Sequence, residues 1–339
     1  MELRTGNSVC LQVMFIIAAD MADSTMYSTR LHQEIGTAKP TIPTVWKHPT
    51  TFWKHKAFLF AGLLCCKSRS GIMQKTIFIT GASAGLGKAT AKLFQSKGWN
   101  VIATMRNPEK ETELAQLKNV TLLPLDVTNL EQIKTTVAKA ITPHSIDVVF
   151  NNAGYGLMGA LEAFSDEQIL KQINTNLLGV IRVTQAFIPH LREKKSGLFI
   201  STTSIGGLFG FPLHSIYHAT KFALEGWSEG MSFELGLHNI GIKTVVPGGI
   251  ATDFTGRSLD RKSHPDYQGI EDKLFATIDG MMQSASTAEQ IAEVVYEAAT
   301  DGKEQVRYLA GEDAKAMYAR RLEIGNEEFR KEIKQQILG

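Results

Sequence analysis

Residues 76–91, TIFITGASAGLGKATA, constrain this chain more than any other stretch: five strand-forming residues run into three closely spaced glycines and then into a helix-forming run. Each glycine has a use. Gly81 permits a tight turn, Gly85 lets a ligand approach the backbone, and Gly87 lets helix and strand pack closely. The helix that starts near Leu86 then presents free N–H groups and its positive end, which together make a phosphate site. The Gly-xxx-Gly-x-Gly spacing departs from the G-x-G-x-x-G dinucleotide fingerprint, and a Gly-rich turn after a strand is often only a turn. The reading therefore needs support downstream.

Support comes from an alternation of strands and helices. Residues 99–104, WNVIAT, form a second strand, with Lys88–Lys97 as the crossover helix, and a right-handed crossover makes the two strands parallel neighbours. A nucleotide-binding fold often ends this strand in an acid that takes the ribose hydroxyls. Here it ends Thr104-Met105-Arg106, without an acid. A guanidinium there pairs with a 2′-phosphate and favours NADP(H) over NAD(H), which stays possible; the other reading of Arg106 is a solvated loop cation. Glu109–Leu117 is expected as a short helix. Val120–Leu125 is a third strand, ending in Asp126-Val127, where the acid is placed to accept a hydrogen bond from an adenine amine. Thr128 or Asn129 caps a helix through Ala140. Ile146–Phe150 is the next strand, a nearly continuous apolar run suited to burial on both faces, and it leads into Asn151-Asn152-Ala153-Gly154. This alternation predicts an α/β fold: a doubly wound, mostly parallel seven-stranded sheet of Rossmann type with helices on both faces.

The second half carries the groups suited to chemistry. Ser165–His190 is expected as one long helix, capped by Ser165 with Gln168 at the capping-box position. Two asparagines and a glycine inside it, in Asn174-Thr175-Asn176-Leu177-Leu178-Gly179, predict a local irregularity. Gly197–Thr203 is a fifth strand with a hydroxyl-rich tip, and a loop rich in Gly and Phe follows from Ile205 to Leu213. Tyr217 and Lys221 open the next helix four positions apart, hence on one face. Such a pair is common by chance on helix surfaces; here it follows a serine at the end of a strand beside the expected crevice. Ile242–Val246 is a sixth strand and Gln305–Ala310 a seventh, separated by a helix from Thr287 to Thr300. Asp253–Ser284 reads as a mobile cover with scattered apolar side chains, although the stripe from Leu274 to Met282 equally suits ordinary helix packing. The tail to Leu338 is a charged helical segment that either walls the pocket or docks on the body.

Composition narrows the classes of function. With 36 basic and 34 acidic residues the net charge is +2, so charge gives no reason to expect a nucleic-acid partner and no firm reason to expect a membrane. The three cysteines, Cys10, Cys65 and Cys66, all precede residue 70, so the remainder has no disulfide framework or thiol nucleophile, and no metal site is expected. Residues 1–72 differ from the rest: two short apolar runs, Val9–Ala19 and Ala57–Cys66, flank a stretch with Pro40, Pro43 and Pro49. Neither run approaches the roughly 20 residues of a membrane span. Three readings are open: a targeting segment, an accessory element, or, preferred here, a poorly ordered extension before a natural start at Met73. Residues 73–339 are then a single domain, expected in the cytoplasm.

From Met73 onward the chain resembles the single-domain branch of the short-chain dehydrogenase/reductase family. The resemblance rests on TGASAGLG at 80–87, Asp126-Val127, NNAG at 151–154, Asn176 in an N-x-x-G setting, Ser204, Tyr217-xxx-Lys221 and Pro247-Gly248. Ser204 precedes Tyr217 by 13 positions, the family's usual interval, which selects it over Ser201. NNAGYG and the long tail are similar to the group of 17β-hydroxysteroid-dehydrogenase-like and retinol-dehydrogenase-like enzymes. The resemblance implies an oxidoreductase that interconverts a carbonyl and a secondary or primary alcohol, small or lipophilic, by hydride transfer. It implies catalytic roles for Asn176, Ser204, Tyr217 and Lys221. It assigns to the cofactor Gly81, Ser83, Gly85, Leu86, Gly87, Arg106, Asp126, Val127, Asn152, Ala153, Gly154, Tyr217, Lys221, Pro247, Gly248, Ile250 and Thr252. Most members are homodimers or homotetramers through the Tyr217 helix and its neighbour; apolar Phe222 and Trp227 fit such a surface.

Reduction of a carbonyl needs a proton for the developing alkoxide. A free tyrosine, with pKa about 10, is a poor partner at neutral pH, and bringing it to neutrality takes roughly 4 kcal/mol of differential stabilisation. Lys221, one helical turn away, is expected to favour the phenolate, and Ser204 to donate to the substrate oxygen. By resemblance, Lys221 also holds the nicotinamide ribose and Asn176 positions a relay water. The rival readings are a non-catalytic NAD(P)-binding regulatory protein on the same fold, which would have no need of all four polar groups, and a nucleotide-sugar epimerase, suggested only by total length.

Overall fold

The computed structural model describes residues 74–251, 258–282 and 285–339. The segment before residue 74, including Met73 and the three cysteines, and the cofactor assignment of Thr252 lie outside the described residues, as does Phe254 of the expected cover.

The chain alternates strand and helix from the start: β1 (Thr76–Thr80), α1 (Gly85–Ser96), β2 (Asn100–Met105), β3 (Val120–Pro124), α2 (Leu130–Ile141) and β4 (Val148–Asn151). A short strand β5 (Gly156–Met158), α3 (Asp166–Ile173), α4 (Gly179–Lys194), β6 (Gly197–Thr202), α5 (Ser215–Gly236) and β7 (Ile240–Pro247) follow. The remainder comprises β8 (Ile250–Ala251), β9 (Leu259–Arg261), α6 (Gln268–Met282), β10 (Ser286–Thr287), α7 (Ala288–Thr300), β11 (Arg307–Ala310), α8 (Glu312–Ile324) and α9 (Asn326–Leu338).

Seven strands form one sheet in the order β11-β7-β6-β4-β1-β2-β3, and every pairing in it is parallel. Strand order reverses around β1, so a crevice opens at its carboxyl end between the turns after β1 and β4, the place where such sheets bind ligands. All five residues of β1 are buried. Side-chain alternation sends Ile77 and Ile79 to one face, with Phe94 of α1 and Ile291 and Val295 of α7, and sends Phe78 to the other, with Ile133, Val183 and Phe187. The Phe78 and Phe187 rings meet edge to face at 4.8 Å.

Two expectations are corrected. Glu109–Leu117 is two short 3₁₀ turns, Pro108–Lys110 and Leu114–Gln116, instead of a helix. Buried Glu111 turns inward to pair with Lys88 at 3.0 Å, and its carboxylate accepts from the N–H groups of Glu113 and Leu114, both at 2.9 Å, which pins the chain in a turn. The long helix from Ser165 is broken where Asn176 falls: α3 and α4 are joined by a π turn, Asn174–Leu178, and α4 runs on to Lys194. The expected capping box at Ser165 and Gln168 is formed.

A third apolar cluster covers the carboxyl end of the sheet on the side of the 205–213 loop. Ile205, Leu208 and Phe209 pack there with Leu274 of α6, Ala314 of α8 and Phe329, Ile333 and Ile337 of α9. Leu274 is thus ordinary helix packing against the C-terminal helix, and the tail docks on the loop that follows Ser204.

Candidate active site

Ser204, Tyr217 and Lys221 come together because the short loop after β6 leads directly into α5, which packs on β7 and on the 3₁₀ turn Ile205–Gly207. Ser204 leaves β6 in extended conformation and opens a 3₁₀ turn, its Oγ accepting from the Gly206 N–H at 3.0 Å. Tyr217 in the first turn of α5 shares a hydrogen bond with the Ser204 hydroxyl. Lys221 is buried one turn further on; its Nζ donates to the Thr202 carbonyl at 2.9 Å and lies 5.6 Å from the centre of the Tyr217 ring. Ser204, Tyr217 and Lys221 therefore meet as expected, at the carboxyl edge of the sheet.

Their electrostatics differ from the simple expectation. Burial pushes the Tyr217 phenol up, and the hydrogen bond with Ser204 pulls the other way without overcoming it. Burial also brings the Lys221 ammonium down to about 8, against the opposing pull of Glu225 one turn along α5.

Asn176 lies in the π turn with its side chain turned to the backbone of Tyr155: Oδ1 accepts from the Tyr155 N–H at 3.0 Å and Nδ2 donates to the Tyr155 carbonyl at 2.8 Å. The asparagine thus fixes the loop after β4. Val127 and Gly179 explain each other, since a Cβ on Gly179 would sit 2.8 Å from a Val127 methyl.

The glycine turn is built as the sequence predicts. Gly81 has φ +69° and Gly85 φ +53°, conformations that favour glycine. A Cβ on Gly87 would overlap the Gly81 carbonyl and lie 2.6 Å from Asn152 Nδ2. Asn152 braces this turn, donating from Nδ2 to the Thr80 and Gly81 carbonyls at 3.2 and 3.1 Å, while the Asn152 and Ala153 N–H groups donate to the Thr80 hydroxyl at 2.9 and 3.0 Å. Ala153 in turn packs on Gly81, and Gly154 is exposed beside Asn176. Leu86 packs into the core, whereas Ser83 is exposed.

Elsewhere on that edge, Arg106 is exposed directly after β2 and makes no ion pair among the described residues. Asp126 is engaged locally, its Oδ1 accepting from the Thr128 N–H at 2.9 Å and hydroxyl at 2.7 Å. Pro247 ends β7 opposite Ala310, and Ile250 pairs with Ser286.

Two residues at the site escaped the sequence reading. His218 is buried beside Tyr217; Nδ1 lies 2.7 Å from the Gly206 carbonyl and Nε2 accepts from the Phe211 N–H at 2.8 Å, so the imidazole ties down the loop after Ser204. Its position next to the Tyr-xxx-Lys pair was the available signal. Asp313 of α8 accepts from the Gly249 N–H at 2.7 Å, a contact across 64 residues that no local pattern announces.

A serine, a tyrosine and a lysine thus stand together at the carboxyl edge of a parallel sheet, beside a glycine-built turn. A family profile described as short chain dehydrogenase matches residues 75–263. An uncharacterized oxidoreductase of Schizosaccharomyces pombe is 36% identical over 226 residues, covering 66% of this chain and 96% of the relative. A 3-ketodihydrosphingosine reductase of Bacteroides thetaiotaomicron is 39% identical over 180 residues, covering 53% of this chain and 65% of that protein. Among solved structures, ElxO with NADP bound superposes with a TM-score of 0.62 at 28% identity, covering 72% of this chain and all of that one. The chain belongs to the short-chain dehydrogenase family and is a dehydrogenase or reductase. Among the described residues no helix is long and apolar enough to cross a membrane.

Proposed function

We propose that the protein is an NADP(H)-dependent reductase, interconverting a carbonyl and a secondary or primary alcohol, with Tyr217 as the general acid and base. The observation that carries this reading is the hydrogen-bonded Ser204–Tyr217 pair with Lys221 anchored behind it on Thr202.

The crevice suits a phosphorylated dinucleotide. The N-cap of α1, Ala84, has no side-chain cap, and the first turn has no acidic residue, so its N–H groups are left to an anion. Exposed Arg106 at the next strand end supplies a planar cation for a 2′-phosphate, and ElxO, which superposes on this chain, holds NADP. Gly81, Gly85 and Gly87 give the pyrophosphate a close backbone. The turn from Pro247 to Ile250 supports the nicotinamide end. When bound, the nicotinamide supplies or accepts the hydride.

The chain's own residues manage the proton and the developing charge. Ser204 donates its hydroxyl hydrogen to the substrate oxygen, and Tyr217 gives that oxygen a proton in reduction and removes it in oxidation. Lys221, held on Thr202, keeps a cation facing the phenol, which favours the phenolate that proton donation leaves in reduction and that acts as the base in oxidation. Asn176 holds the Tyr155 backbone with its side chain, so a part in proton relay falls to its main chain. Phe211 and Leu213, only partly buried at the end of the loop after Ser204, favour a lipophilic substrate. The relative named as a 3-ketodihydrosphingosine reductase, a lipid-ketone enzyme by its name, supports the same class. Assembly as a homodimer or homotetramer fits the exposed Phe222 and Phe233 of α5 and Leu237 just after it; Trp227 is half-buried against the core.

A panel of carbonyls and alcohols assayed separately with NADPH, NADH and their oxidised forms tests the reading. NADPH oxidation with an apolar ketone or aldehyde is expected; nucleotide binding with no turnover across the panel would leave the regulatory reading in its place.

A further inference from the structure

The C-terminal helices reach the turn after β7 through a polar contact. Asp313, at the second position of α8, turns its carboxylate away from solvent and into the turn that follows β7, where Oδ2 accepts from the Gly249 N–H at 2.7 Å. Two glycines leave the room that this carboxylate fills. A Cβ on Gly248 would overlap it, and a Cβ on Gly311 would stand 2.6 Å from Oδ1 and 2.9 Å from the Ser286 hydroxyl. Gly311 also has φ +98°, which lets β11 turn directly into α8 and brings Asp313 over the turn. The same turn is held from both sides by backbone bonds, Gly248 N–H to the Ala310 carbonyl at 3.2 Å and Ser286 N–H to the Gly249 carbonyl at 3.2 Å. Asp313 supplies the side-chain contact in this frame.

From this arrangement we infer that Asp313 is a positioning residue for the cofactor: it fixes the Pro247–Ile250 turn from the C-terminal side and thereby makes α8 part of the nicotinamide seat. The inference rests on the reading of that turn as the nicotinamide support. A carboxylate at a helix start is favourable in its own right, but α8 has a second one, Glu312, which is exposed and pairs with Lys315 at 2.8 Å. Helix-end charge alone therefore gives no reason for Asp313 to face inward. The carboxylate has a fixed donor to meet and a glycine-lined space to occupy.

The two neighbouring acids separate the explanations. NADPH dissociation constants by fluorescence titration, carbonyl KM and thermal midpoints are measured for Asp313→Ala, Asp313→Ser, Asp313→Asn and Glu312→Ala. Asp313→Ala is expected to weaken NADPH binding about tenfold, in keeping with the loss of a hydrogen bond to a charged group, while the carbonyl KM stays unchanged. Asp313→Ser, which keeps a residue suited to a helix start but is too short to reach Gly249, behaves likewise and serves where the alanine variant folds poorly. Asp313→Asn, which keeps an acceptor oxygen, restores binding to within about threefold, and Glu312→Ala binds as wild type. NADPH affinity unchanged in both Asp313→Ala and Asp313→Ser, or weakened equally by Glu312→Ala, overturns the inference. A wild-type protein that binds no nicotinamide nucleotide removes the cofactor reading and this inference with it, whereas binding that survives in both short variants removes this inference alone.

Discussion

Lys221 is held by the carbonyl of Thr202, Nζ to O at 2.9 Å, so the last residue of β6 fixes where the ammonium of α5 sits relative to the Tyr217 ring. That contact makes Lys221 a fixed cation and frames the first two predictions.

Tyr217→Phe removes the one hydroxyl placed to exchange a proton with the substrate oxygen and leaves the ring packing intact. Turnover is expected to fall by about 10²- to 10⁴-fold, with NADPH affinity within about twofold of wild type. Steady-state kinetics and fluorescence titration of the same preparation check both halves.

Because burial brings Lys221 down to about 8, its proton leaves as pH rises through that value, and the charge facing Tyr217 leaves with it. For carbonyl reduction, kcat/KM is expected to fall above about pH 8. Glu225 opposes the effect of burial, so Glu225→Gln moves the fall to lower pH. A pH–rate profile of the two proteins decides this, and superimposable profiles count against the assignment.

Arg106→Ala tests the choice of nucleotide. NADPH affinity is expected to drop about tenfold, the effect of losing a charge-assisted hydrogen bond, while NADH affinity holds. Equal changes for both nucleotides would make Arg106 a solvated cation.

Away from the crevice, Lys243, Asp301 and Tyr308 close a buried network joining β7, the end of α7 and β11: Lys243 Nζ meets Asp301 Oδ1 at 2.7 Å, and Tyr308 donates to Oδ2 at 2.7 Å. Burial pushes the Asp301 carboxyl up, but the bonds from Lys243 and Tyr308 outweigh it and hold the group well below the ordinary carboxylate range. A depressed carboxyl stabilises the fold above its unfolded value, about pH 4, and that stabilisation is lost as pH falls below it. Asp301→Ala strands Lys243 and should cost about 3 kcal/mol at neutral pH, with a smaller difference from wild type at lower pH. Urea denaturation at pH 7 and pH 3 measures both.

Gly87→Ala brings a methyl against the Gly81 carbonyl and Asn152 Nδ2. Overpacking of this kind costs about 1–3 kcal/mol, and because the displaced groups shape the phosphate turn, nucleotide affinity should fall together with the melting temperature.

How much of this was legible in the chain depended on the range of each interaction. β1 and β4 announce themselves because strands buried on both faces are continuously apolar. Tyr217 and Lys221 are legible because helical spacing alone puts them on one face, and Ser204 because a strand end precedes them by a short loop. Mid-helix Asn176 correctly predicted an irregularity, but its form, a π turn serving the Tyr155 backbone, depends on a loop 21 residues away. Glu109–Leu117 has acceptable helix formers; the ion pair between Glu111 and Lys88 overrides them, and propensity does not encode that contact. Asp313 was invisible for the same reason.

The packing of α7 on α1 also constrains how the chain is made. Phe94 of α1 meets Tyr296 of α7 at 5.1 Å, and Ile291 and Val295 close the same layer. That face of the sheet therefore stays open until α7 has been synthesised. A nascent or prematurely terminated chain ending before residue 288 exposes a wide greasy flank on the finished side of the sheet, and such products should depend on chaperones or aggregate.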